Sequence, residues 1–442
     1  MEINKYWNPI LETLPREKME QLQLKKFREI FKWAYEHSKF YHRLYSDAGI
    51  ELGDIKTTKD IARVPKVEKS MMRAIQGKEP YPYGDMLSLP LEQVTEYHQT
   101  SGTTGQPVYQ ADSWQDWELS AEHWAYILYT QGYRSSDRVF LPFGYNVFIA
   151  FWCAHYGAEK IGCEVVPGGI LNTEARILKM QELRCTAFMA TPTYVLGMAD
   201  TALTKLGINP KGLGIKRITV AGEPGGSIPA TRKRMEEAWG AKVFDHCGAT
   251  ETGAWGYECE YQTGVHINDA LFLVQIEDVE TGELITEPGK KGKMVITNLN
   301  RMAQPCIRFD SKDMIEWNSE KCECGRTFSL LKGGVQGRAD DITKVKGVLL
   351  SPTAIEEVVR SIPGLGDEYE VVVTKSGDID DITLKVELNP GEEKNTGSIK
   401  PKLIDQLRLK TNLNYNLEFH SYGALPRYEV KARRFKDLRH KE

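Results

Sequence analysis

The chain has 442 residues, a formal net charge of −4, 41% hydrophobic residues and 27% charged residues. This length exceeds that of a typical single domain, so we expect two domains, or one large and one small. The mild acidity argues against a protein that coats nucleic acid, and no stretch approaches the roughly 18 to 20 apolar residues of a membrane span. Because the first residues lack an apolar signal region, we expect a cytoplasmic protein.

Two stretches in the first third of the chain predict amphipathic helices. Over residues 15–38, apolar residues recur close to helical spacing, and residues 114–131 show the same pattern. The apolar positions of the first stretch are Leu22, Phe27, Ile30, Phe31 and Ala34. Short helices and loops are predicted between the two stretches.

The middle of the chain alternates between short apolar runs and helical stretches. The runs near residues 139, 164, 187, 217 and 242 are each followed or preceded by a helical pattern. Such alternation predicts βαβ units on a largely parallel sheet, and therefore an α/β fold.

The last third of the chain changes character twice. Residues 270–318 carry short strands joined by turns at Thr281-Gly-Glu and Glu287-Pro-Gly, which predicts an antiparallel β-subdomain. From residue 337 onward, strand and helix patterns predict a small α+β unit. We therefore expect a large N-terminal domain over residues 1–336 and a small, mobile C-terminal domain over residues 337–442.

A loop rich in hydroxyls and glycines follows residue 100. In Ser101-Gly-Thr-Thr-Gly-Gln-Pro107, the hydroxyls and the open backbone N–H groups are suited to holding phosphate oxygens. The same residue types are common in ordinary polar linkers. Neither Gly-x4-Gly-Lys-Ser/Thr nor Gly-x-Gly-x-x-Gly occurs in the chain, which argues against P-loop and Rossmann sites.

Further candidate site residues follow predicted strands or lie near the C-terminus. Gly222-Glu-Pro224 and Thr250-Glu251 lie where an open α/β sheet places its ligand crevice, and a carboxylate such as Glu251 suits Mg²⁺. Asp313 could hold a ribose diol, and Arg338 lies close to the glycine of a predicted hinge. Taken singly, each of these residues also fits a plain turn or a solvated surface charge.

In this order, the motifs resemble the AMP-forming adenylating enzymes, the superfamily of acyl-CoA synthetases and luciferases. The series comprises the phosphate loop, the Gly-Glu-Pro turn, the Gly-x-Thr-Glu motif, the ribose Asp, the hinge Gly-Arg-x-Asp-Asp and a C-terminal Lys. Five further stretches are similar to the phenylacetate–CoA ligase branch: Lys39-Phe-Tyr…Ala48-Gly-Ile, His155-Tyr-Gly-Ala-Glu-Lys-Ile-Gly, Thr191-Pro-Thr-Tyr, Ser361-Ile-Pro-Gly-Leu-Gly and Leu425-Pro-Arg…Lys431-Ala.

The resemblance implies a reaction in two steps, with ATP, Mg²⁺ and coenzyme A. A carboxylate attacks the α-phosphorus of ATP to give an acyl-adenylate and pyrophosphate, and the thiolate of coenzyme A then displaces AMP. Lys431 and Glu251 would be catalytic, with Glu251 holding Mg²⁺. Asp340 would be the hinge about which the C-terminal domain rotates between the two steps. The implied nucleotide-binding residues are Ser101, Gly102, Thr103, Thr104, Gly105, Gly222, Glu223, Pro224, Cys247, Gly248, Ala249, Thr250, Asp313 and Arg338.

The chain departs from the family pattern at two places. Cys247 stands where the family usually has an aromatic residue that stacks on adenine. The segment implied to line the acid pocket is bulkier than in phenylacetate ligases, since it includes Phe148, Phe151 and Trp152. The last two could instead be helix-core residues that face away from the acid. The implied acid-binding residues are Tyr145, Phe148, Ile149 and Gly248.

Three of the eight cysteines and one histidine are spaced like metal ligands. Cys322 and Cys324 form a tight thiol pair, while Cys259 and His266 are close to each other in the chain. Three thiols and one imidazole would make a closed structural Zn²⁺ site, which the resemblance also implies; the alternative is buried thiols and a surface histidine. Cys153, Cys163, Cys185 and Cys306 are interpreted as core residues.

We therefore expect a ligase that joins an aryl or arylacetic acid to coenzyme A, and by resemblance a homodimer. Three alternatives stay open. The acyl group could be loaded onto a carrier protein, or the enzyme could adenylate a deazaflavin cofactor. A non-catalytic nucleotide sensor would keep the phosphate loop but would not need Lys431.

Overall fold

The computed structural model describes residues 4–100, 106–341, 343–346, 348–376, 379–428 and 432–439. The α-helices in these ranges are α1 (Pro9–Glu12), α2 (Arg16–His37), α3 (Lys39–Asp47), α4 (Lys69–Ile75), α5 (Trp114–Thr130), α6 (Ile149–Lys160), α7 (Thr173–Glu182), α8 (Pro192–Thr204), α9 (Pro229–Trp239), α10 (Pro352–Ser361) and α11 (Thr396–Thr411).

The strands alternate with these helices in the middle of the chain and pair with one another elsewhere. They are β1 (Glu96–Gln99), β2 (Tyr109–Asp112), β3 (Arg138–Leu141), β4 (Glu164–Pro167), β5 (Ala187–Ala190), β6 (Arg217–Val220), β7 (Lys242–Ala249), β8 (Gly253–Glu258), β9 (Val265–Ile267), β10 (Phe272–Glu277), β11 (Lys291–Asn298), β12 (Phe309–Glu316), β13 (Leu330–Leu331), β14 (Thr343–Val345), β15 (Val348–Leu350), β16 (Leu365–Ser376), β17 (Ile379–Leu388), β18 (Asn416–His420) and β19 (Phe435–Asp437).

The largest sheet has eight strands in the order β13-β9-β8-β7-β6-β5-β3-β4. Strand β3 pairs in parallel with β4 and β5, and the chain crosses between them through α6 and α7. The pairs β7–β8, β8–β9 and β9–β13 are antiparallel. The sheet therefore combines the predicted parallel βαβ part with an antiparallel part, which confirms the α/β class.

By internal contacts, the chain divides into two compact units. The first comprises Met1–Ile170, Cys185–Phe188 and Phe244–Gly334, and the second comprises Leu171–Arg184, Met189–Val243 and Val335–Glu442. The predicted domain boundary at residue 337 stays a prediction.

The first unit contains the predicted antiparallel subdomain as a three-stranded sheet in the order β10-β11-β12. Helix α2 packs its apolar face in this unit, with Phe27, Ile30 and Phe31 almost fully buried. The apolar pattern indicates Leu22 as part of the buried face, but Leu22 is only half-buried and its neighbour Gln23 is buried instead. The Gln23 amide donates to the carbonyl oxygens of Asp269 and Phe272, both at 3.0 Å. A buried amide is tolerated when its hydrogen bonds are satisfied in this way.

The N-terminal segment of the first unit is held by a distant loop. The Arg326 guanidinium donates to the Glu12 carboxylate, and both side chains are almost fully buried. The Thr327 N–H donates to the Glu12 carbonyl at 2.9 Å, and the Tyr6 hydroxyl donates to the Cys324 carbonyl at 3.1 Å. These bonds fix the first turns of the chain on the loop that contains Cys322 and Cys324.

In the second unit, the C-terminal part forms a four-stranded sheet in the order β18-β17-β16-β19, with α10 and α11 packed on a buried aliphatic core. This arrangement confirms the small α+β part. Among the residues that the structure describes, no helix combines the length and apolar character needed to cross a membrane.

Candidate functional site

Strands β1 and β2 form an antiparallel hairpin around the predicted phosphate loop. Residues 101–105 themselves lie outside the described residues. Beside them, the Thr100 N–H donates to the Val108 carbonyl and the Val108 N–H donates to Thr100 Oγ1, both at 3.0 Å. The hairpin is therefore closed by hydrogen bonds at the residues where the loop begins and ends.

The predicted acid-binding segment is attached to this hairpin. The Gln99 N–H donates to the Val147 carbonyl at 3.0 Å. Phe148 caps the start of α6 and is half-buried, while Ile149 is buried. The backbone thus brings these two predicted acid-binding residues next to the base of the phosphate loop.

Aromatic rings surround the start of α6. Phe151 stacks on Phe143 with 4.1 Å between ring centroids. Trp152 is partly exposed, and its indole N–H donates to the Asn146 carbonyl at 2.8 Å. Trp152 is therefore not a helix-core residue, whereas Phe151 packs against a buried neighbour.

Tyr145 lies at the same place and is held by hydrogen bonding. Its hydroxyl oxygen is 2.7 Å from His155 Nδ1, and His155 Nε2 is 3.0 Å from a Glu159 carboxylate oxygen. Burial, and then the nearby Glu159 charge, raises the pKa of Tyr145 well above its ordinary value. Its hydroxyl is therefore neutral at neutral pH and can donate a hydrogen bond.

The acidic motif lies on a tight hairpin turn. Strand β7 ends with Cys247, Gly248 and Ala249, and the turn at residues 250–252 leads into β8 at Gly253, whose φ of +87° suits glycine. Cys247 is buried. The expected contacts of Cys247, Gly248, Ala249 and Thr250 with a nucleotide stay predictions.

Glu251 is the most enclosed acid of the predicted set. Only 4% of its side chain is exposed, and one carboxylate oxygen lies 2.6 Å from Lys69 Nζ. Lys69 is on α4, far from Glu251 in the chain, and sequence reasoning missed it. Carboxylate oxygens are ligands that Mg²⁺ prefers, so the residue type at this position suits the predicted role.

The Gly-Glu-Pro turn lies in the second unit, directly after β6. One oxygen of the Glu223 carboxylate accepts from the Thr193 N–H at 2.7 Å. The other accepts from the Ala432 N–H at 3.0 Å. Glu223 therefore joins the start of α8 to the C-terminal segment. Gly222 and Pro224 flank it, and nucleotide contacts by all three stay predictions.

The C-terminal segment is anchored next to the predicted catalytic lysine. Lys431 lies outside the described residues. Three residues later, the buried Arg434 guanidinium donates to Thr193 Oγ1 at 3.0 Å and to Glu368 Oε2 at 2.9 Å. The chain that follows Lys431 is thus fixed by a charged network within the second unit.

The predicted ribose and hinge residues are less enclosed. Asp313 is half-buried on β12, and its backbone N–H donates to Ser311 Oγ at 3.1 Å. The Arg338 guanidinium forms two hydrogen bonds to the Asp340 carboxylate, at 2.8 and 2.7 Å, and both side chains are exposed. The nucleotide contacts of Asp313 and Arg338, and the hinge at Asp340, stay predictions.

The structure brings the four predicted zinc ligands together. Cys259, His266, Cys322 and Cys324 are all buried, and their ligand atoms lie within 4.8 Å of one another. Cys259 Sγ is 3.4 Å from Cys322 Sγ, and Cys324 Sγ is 3.4 Å from His266 Nε2. Hydrogen bonding by Cys259, and then by His266, lowers the pKa of Cys324, which favours a thiolate. This donor set fits a tetrahedral zinc site.

The other four cysteines are buried, as the core interpretation requires. They are Cys153, Cys163, Cys185 and Cys306.

Comparisons with known proteins agree with the arrangement of the chain. The pattern of the AMP-binding enzyme family matches residues 86–303, and that of the AMP-binding enzyme C-terminal domain matches residues 347–439. The phenylacetate–coenzyme A ligase of Thermus thermophilus is 34% identical over 87% of this chain and 84% of its own length. That of Aromatoleum evansii is 32% identical over 98% of this chain and 97% of its own length.

A solved structure shows the same fold. The crystal structure of 2-hydroxyisobutyryl-CoA ligase in the postadenylation state, in complex with R3-HIB-AMP, has a TM-score of 0.93 at 27% identity. It matches over 99% of this chain and 93% of that chain. These matches extend over nearly the whole sequence. The chain is an ATP-dependent, AMP-forming acid–thiol ligase, and it belongs to the phenylacetate–coenzyme A ligase family.

Proposed function

We propose that the acid activated by this ligase is an aromatic or arylacetic acid. The observation that carries the proposal is the aromatic segment at residues 143–152, which is hydrogen-bonded through Val147 to the hairpin of the phosphate loop. Phenylacetate is the acid in the names of the relatives from Thermus thermophilus and Aromatoleum evansii. Aromatic walls favour a planar ring, because stacked or edge-on ring pairs add to the free energy of burial.

In the first step, a carboxylate oxygen of the acid attacks the α-phosphorus of ATP, and pyrophosphate leaves. We assign Glu251 to hold Mg²⁺, which when bound neutralises phosphate charge and orients the oxygens. Ser101, Gly102, Thr103, Thr104 and Gly105 hold the terminal phosphates, and Lys431 stabilises charge at the reacting oxygens. Little covalent chemistry falls to the protein, so the rate depends on positioning and electrostatics.

In the second step, the thiolate of coenzyme A attacks the acyl carbon, and AMP leaves. We assign a rotation about Asp340 to the interval between the steps, as a hinge-type domain motion. The exposed Arg338–Asp340 pair supports this role, because breaking an exposed ion pair costs little. A homodimeric assembly is carried over from the resemblance.

Acid-dependent AMP formation, measured with and without coenzyme A, tests the substrate class. The panel contains phenylacetate, indoleacetate, benzoates, medium-chain acids and 2-hydroxyisobutyrate. We expect AMP and thioester with one or a few aromatic acids, and Phe148→Ala should change the order of preference among them. A clear preference for an aliphatic acid would contradict the proposal. AMP without thioester would instead favour loading of a carrier protein, and turnover of a deazaflavin would favour nucleotidyl transfer.

We also propose that Cys259, His266, Cys322 and Cys324 hold a structural Zn²⁺. Metal analysis of the purified protein should find about one zinc per chain, as a closed four-ligand site requires. Cys259→Ser should lose the metal and lower the Tm by several degrees, because metal-binding free energy contributes to folding. Cys163→Ser, which changes a buried thiol outside the cluster, serves as the control. A protein that is free of zinc and equally stable after chelation would refute this assignment.

A further inference from the structure

Side chains at the end of β11 and just beyond it hold the backbone of the acidic turn. Arg301 Nη1 donates to the Thr250 carbonyl at 3.0 Å and to the Glu251 carbonyl at 3.2 Å. Asn298 Nδ2 donates to the Thr252 carbonyl at 2.9 Å. Three consecutive carbonyls of the turn are therefore bound by two side chains, those of Arg301 and Asn298.

The same guanidinium binds the phosphate-loop hairpin. Arg301 Nε and Nη2 donate to the two oxygens of Asp112, both at 2.6 Å. Asp112 is the last residue of β2, and its side chain is fully buried, while that of Arg301 is 4% exposed. A two-pronged contact of this kind fixes angle as well as distance.

The segment that carries Arg301 is itself anchored. Asn298 Oδ1 accepts from the Arg301 N–H at 3.2 Å. Asp116, in the first turn of α5, accepts from the Met302 N–H at 2.6 Å and from the Ala303 N–H at 3.0 Å. Arg301 therefore cannot shift without breaking several buried hydrogen bonds.

This burial and these partners determine what Arg301 can do. Its Nε, Nη1 and Nη2 atoms are all engaged with protein oxygens, and almost none of the side chain reaches solvent. A phosphate oxygen therefore has little access to this side chain. Arg301 thus acts on the reaction through other groups.

We propose that Arg301 is a positioning residue for adenylation, which sets the turn of Glu251 relative to the hairpin of the phosphate loop. The inference rests on the proposed roles of Glu251 and of residues 101–105. Both elements handle the triphosphate, so their relative position decides whether Mg²⁺ and the phosphates meet in reactive geometry. A displacement of about 1 Å in such a site can cost roughly 100-fold in rate.

Arg301→Lys tests the inference, because lysine keeps the charge but cannot bind Asp112 and two carbonyls at once. We expect adenylation, followed as acid-dependent pyrophosphate release, to fall about 100-fold, and half-saturating Mg²⁺ to rise about 10-fold. Thioester formation from supplied acyl-adenylate and coenzyme A should change less than about threefold, since that step uses neither Mg²⁺ nor the terminal phosphates. Asn298→Ala should give the same pattern with a smaller effect.

Arg308→Lys is the matched control. Arg308 is an equally buried arginine that binds the Ile61 carbonyl, Gln275 and Glu277. Arg308→Lys should lower the Tm without changing the Mg²⁺ requirement. If Arg301→Lys reduces both half-reactions equally, or lowers only the Tm, Arg301 is a structural residue and the inference is overturned.

Glu251→Gln separates failure of the inference from failure of the proposed function. A rise in the Mg²⁺ requirement with Glu251→Gln but not with Arg301→Lys or Asn298→Ala would overturn the positioning inference alone. An unchanged Mg²⁺ requirement with Glu251→Gln would overturn the proposed role of Glu251, and the inference with it.

Discussion

The turn at residues 250–252 and the predicted hinge at residues 337–341 are held in opposite ways. Most of the turn is buried, and its carbonyls bind the side chains of Asn298 and Arg301, which are distant in the chain. At the hinge, Arg338 binds Asp340, two residues away, and both side chains are about half exposed. Bonds to distant, buried partners resist displacement, whereas local bonds at the surface move with the chain. The comparison indicates that the surrounding fold fixes the turn, whereas the predicted hinge carries an exposed, local ion pair.

The largest effect is expected at Lys431, the predicted catalytic lysine of the C-terminal segment. Lys431→Ala should lower adenylation by about 100- to 1,000-fold, because a charge-stabilising group at the reacting atoms is lost. Thioester formation from supplied acyl-adenylate should largely survive. Rapid-quench measurement of each half-reaction distinguishes the two.

Lys436→Ala is the control, since Lys436 lies close by in the chain and binds Glu370. Equal loss of both half-reactions in Lys431→Ala would contradict the assignment of Lys431 to the adenylation step alone.

Acid should lower the free energy of unfolding through three buried histidines of the first unit. Burial lowers the pKa of His98 to about 4, of His123 to about 3 and of His246 to about 4, with Arg301 adding to the effect at His98 and His123. The folded state keeps these rings neutral, while the unfolded chain takes up protons below about pH 6.5, so the free energy of unfolding falls as the pH drops below that value. Each ring should cost about 2 kcal/mol at pH 5.

Urea unfolding at pH 7 and pH 5 measures this loss. His123→Gln should make the free energy of unfolding less dependent on pH, because one buried ring is removed, whereas His42→Gln, at an exposed position, should not. A pH dependence that is unchanged in His123→Gln would show that the folded protein tolerates a protonated His123.

The smallest effect is expected at the hinge. Arg338→Ala should change the free energy of unfolding by less than about 1 kcal/mol, because an exposed ion pair contributes little. The KM for ATP should rise if Arg338 contacts the ribose, as the resemblance implies. A loss of stability as large as that of Arg301→Lys would show that the hinge is as firmly held as the turn, and the contrast would be wrong.

Local patterns predicted much of the fold. Residues 15–38 and 114–131 form α2 and α5 within one or two residues of the predicted ends, because apolar periodicity follows directly from burial of one helix face. The α/β alternation and the antiparallel subdomain are confirmed for the same reason. Exceptions arise where a polar residue is buried by distant partners, as at Gln23.

The site was predicted unevenly. The four predicted zinc ligands were proposed from their residue types together with the family resemblance, and the structure brings them together, while zinc binding itself stays a prediction. Lys69 and Arg301 were missed, because a single lysine or arginine in the sequence carries no sign of which acid or carbonyl it will meet. Their significance depends on pairings between strands and helices that only the folded chain defines.

The contact between Glu12 and Arg326 also bears on how the chain is made. The two residues are separated by 314 positions, so ribosomal synthesis at roughly 5 to 20 residues per second leaves an interval of about 15 to 60 s before the partner of Glu12 exists. During that interval, the carboxylate of Glu12 and the apolar face of α2 await strands and loops that have not yet been translated. The N-terminal segment therefore leaves the ribosome long before its partners and reaches its native contacts late, so nascent chains should need protection from aggregation until residue 327 has emerged.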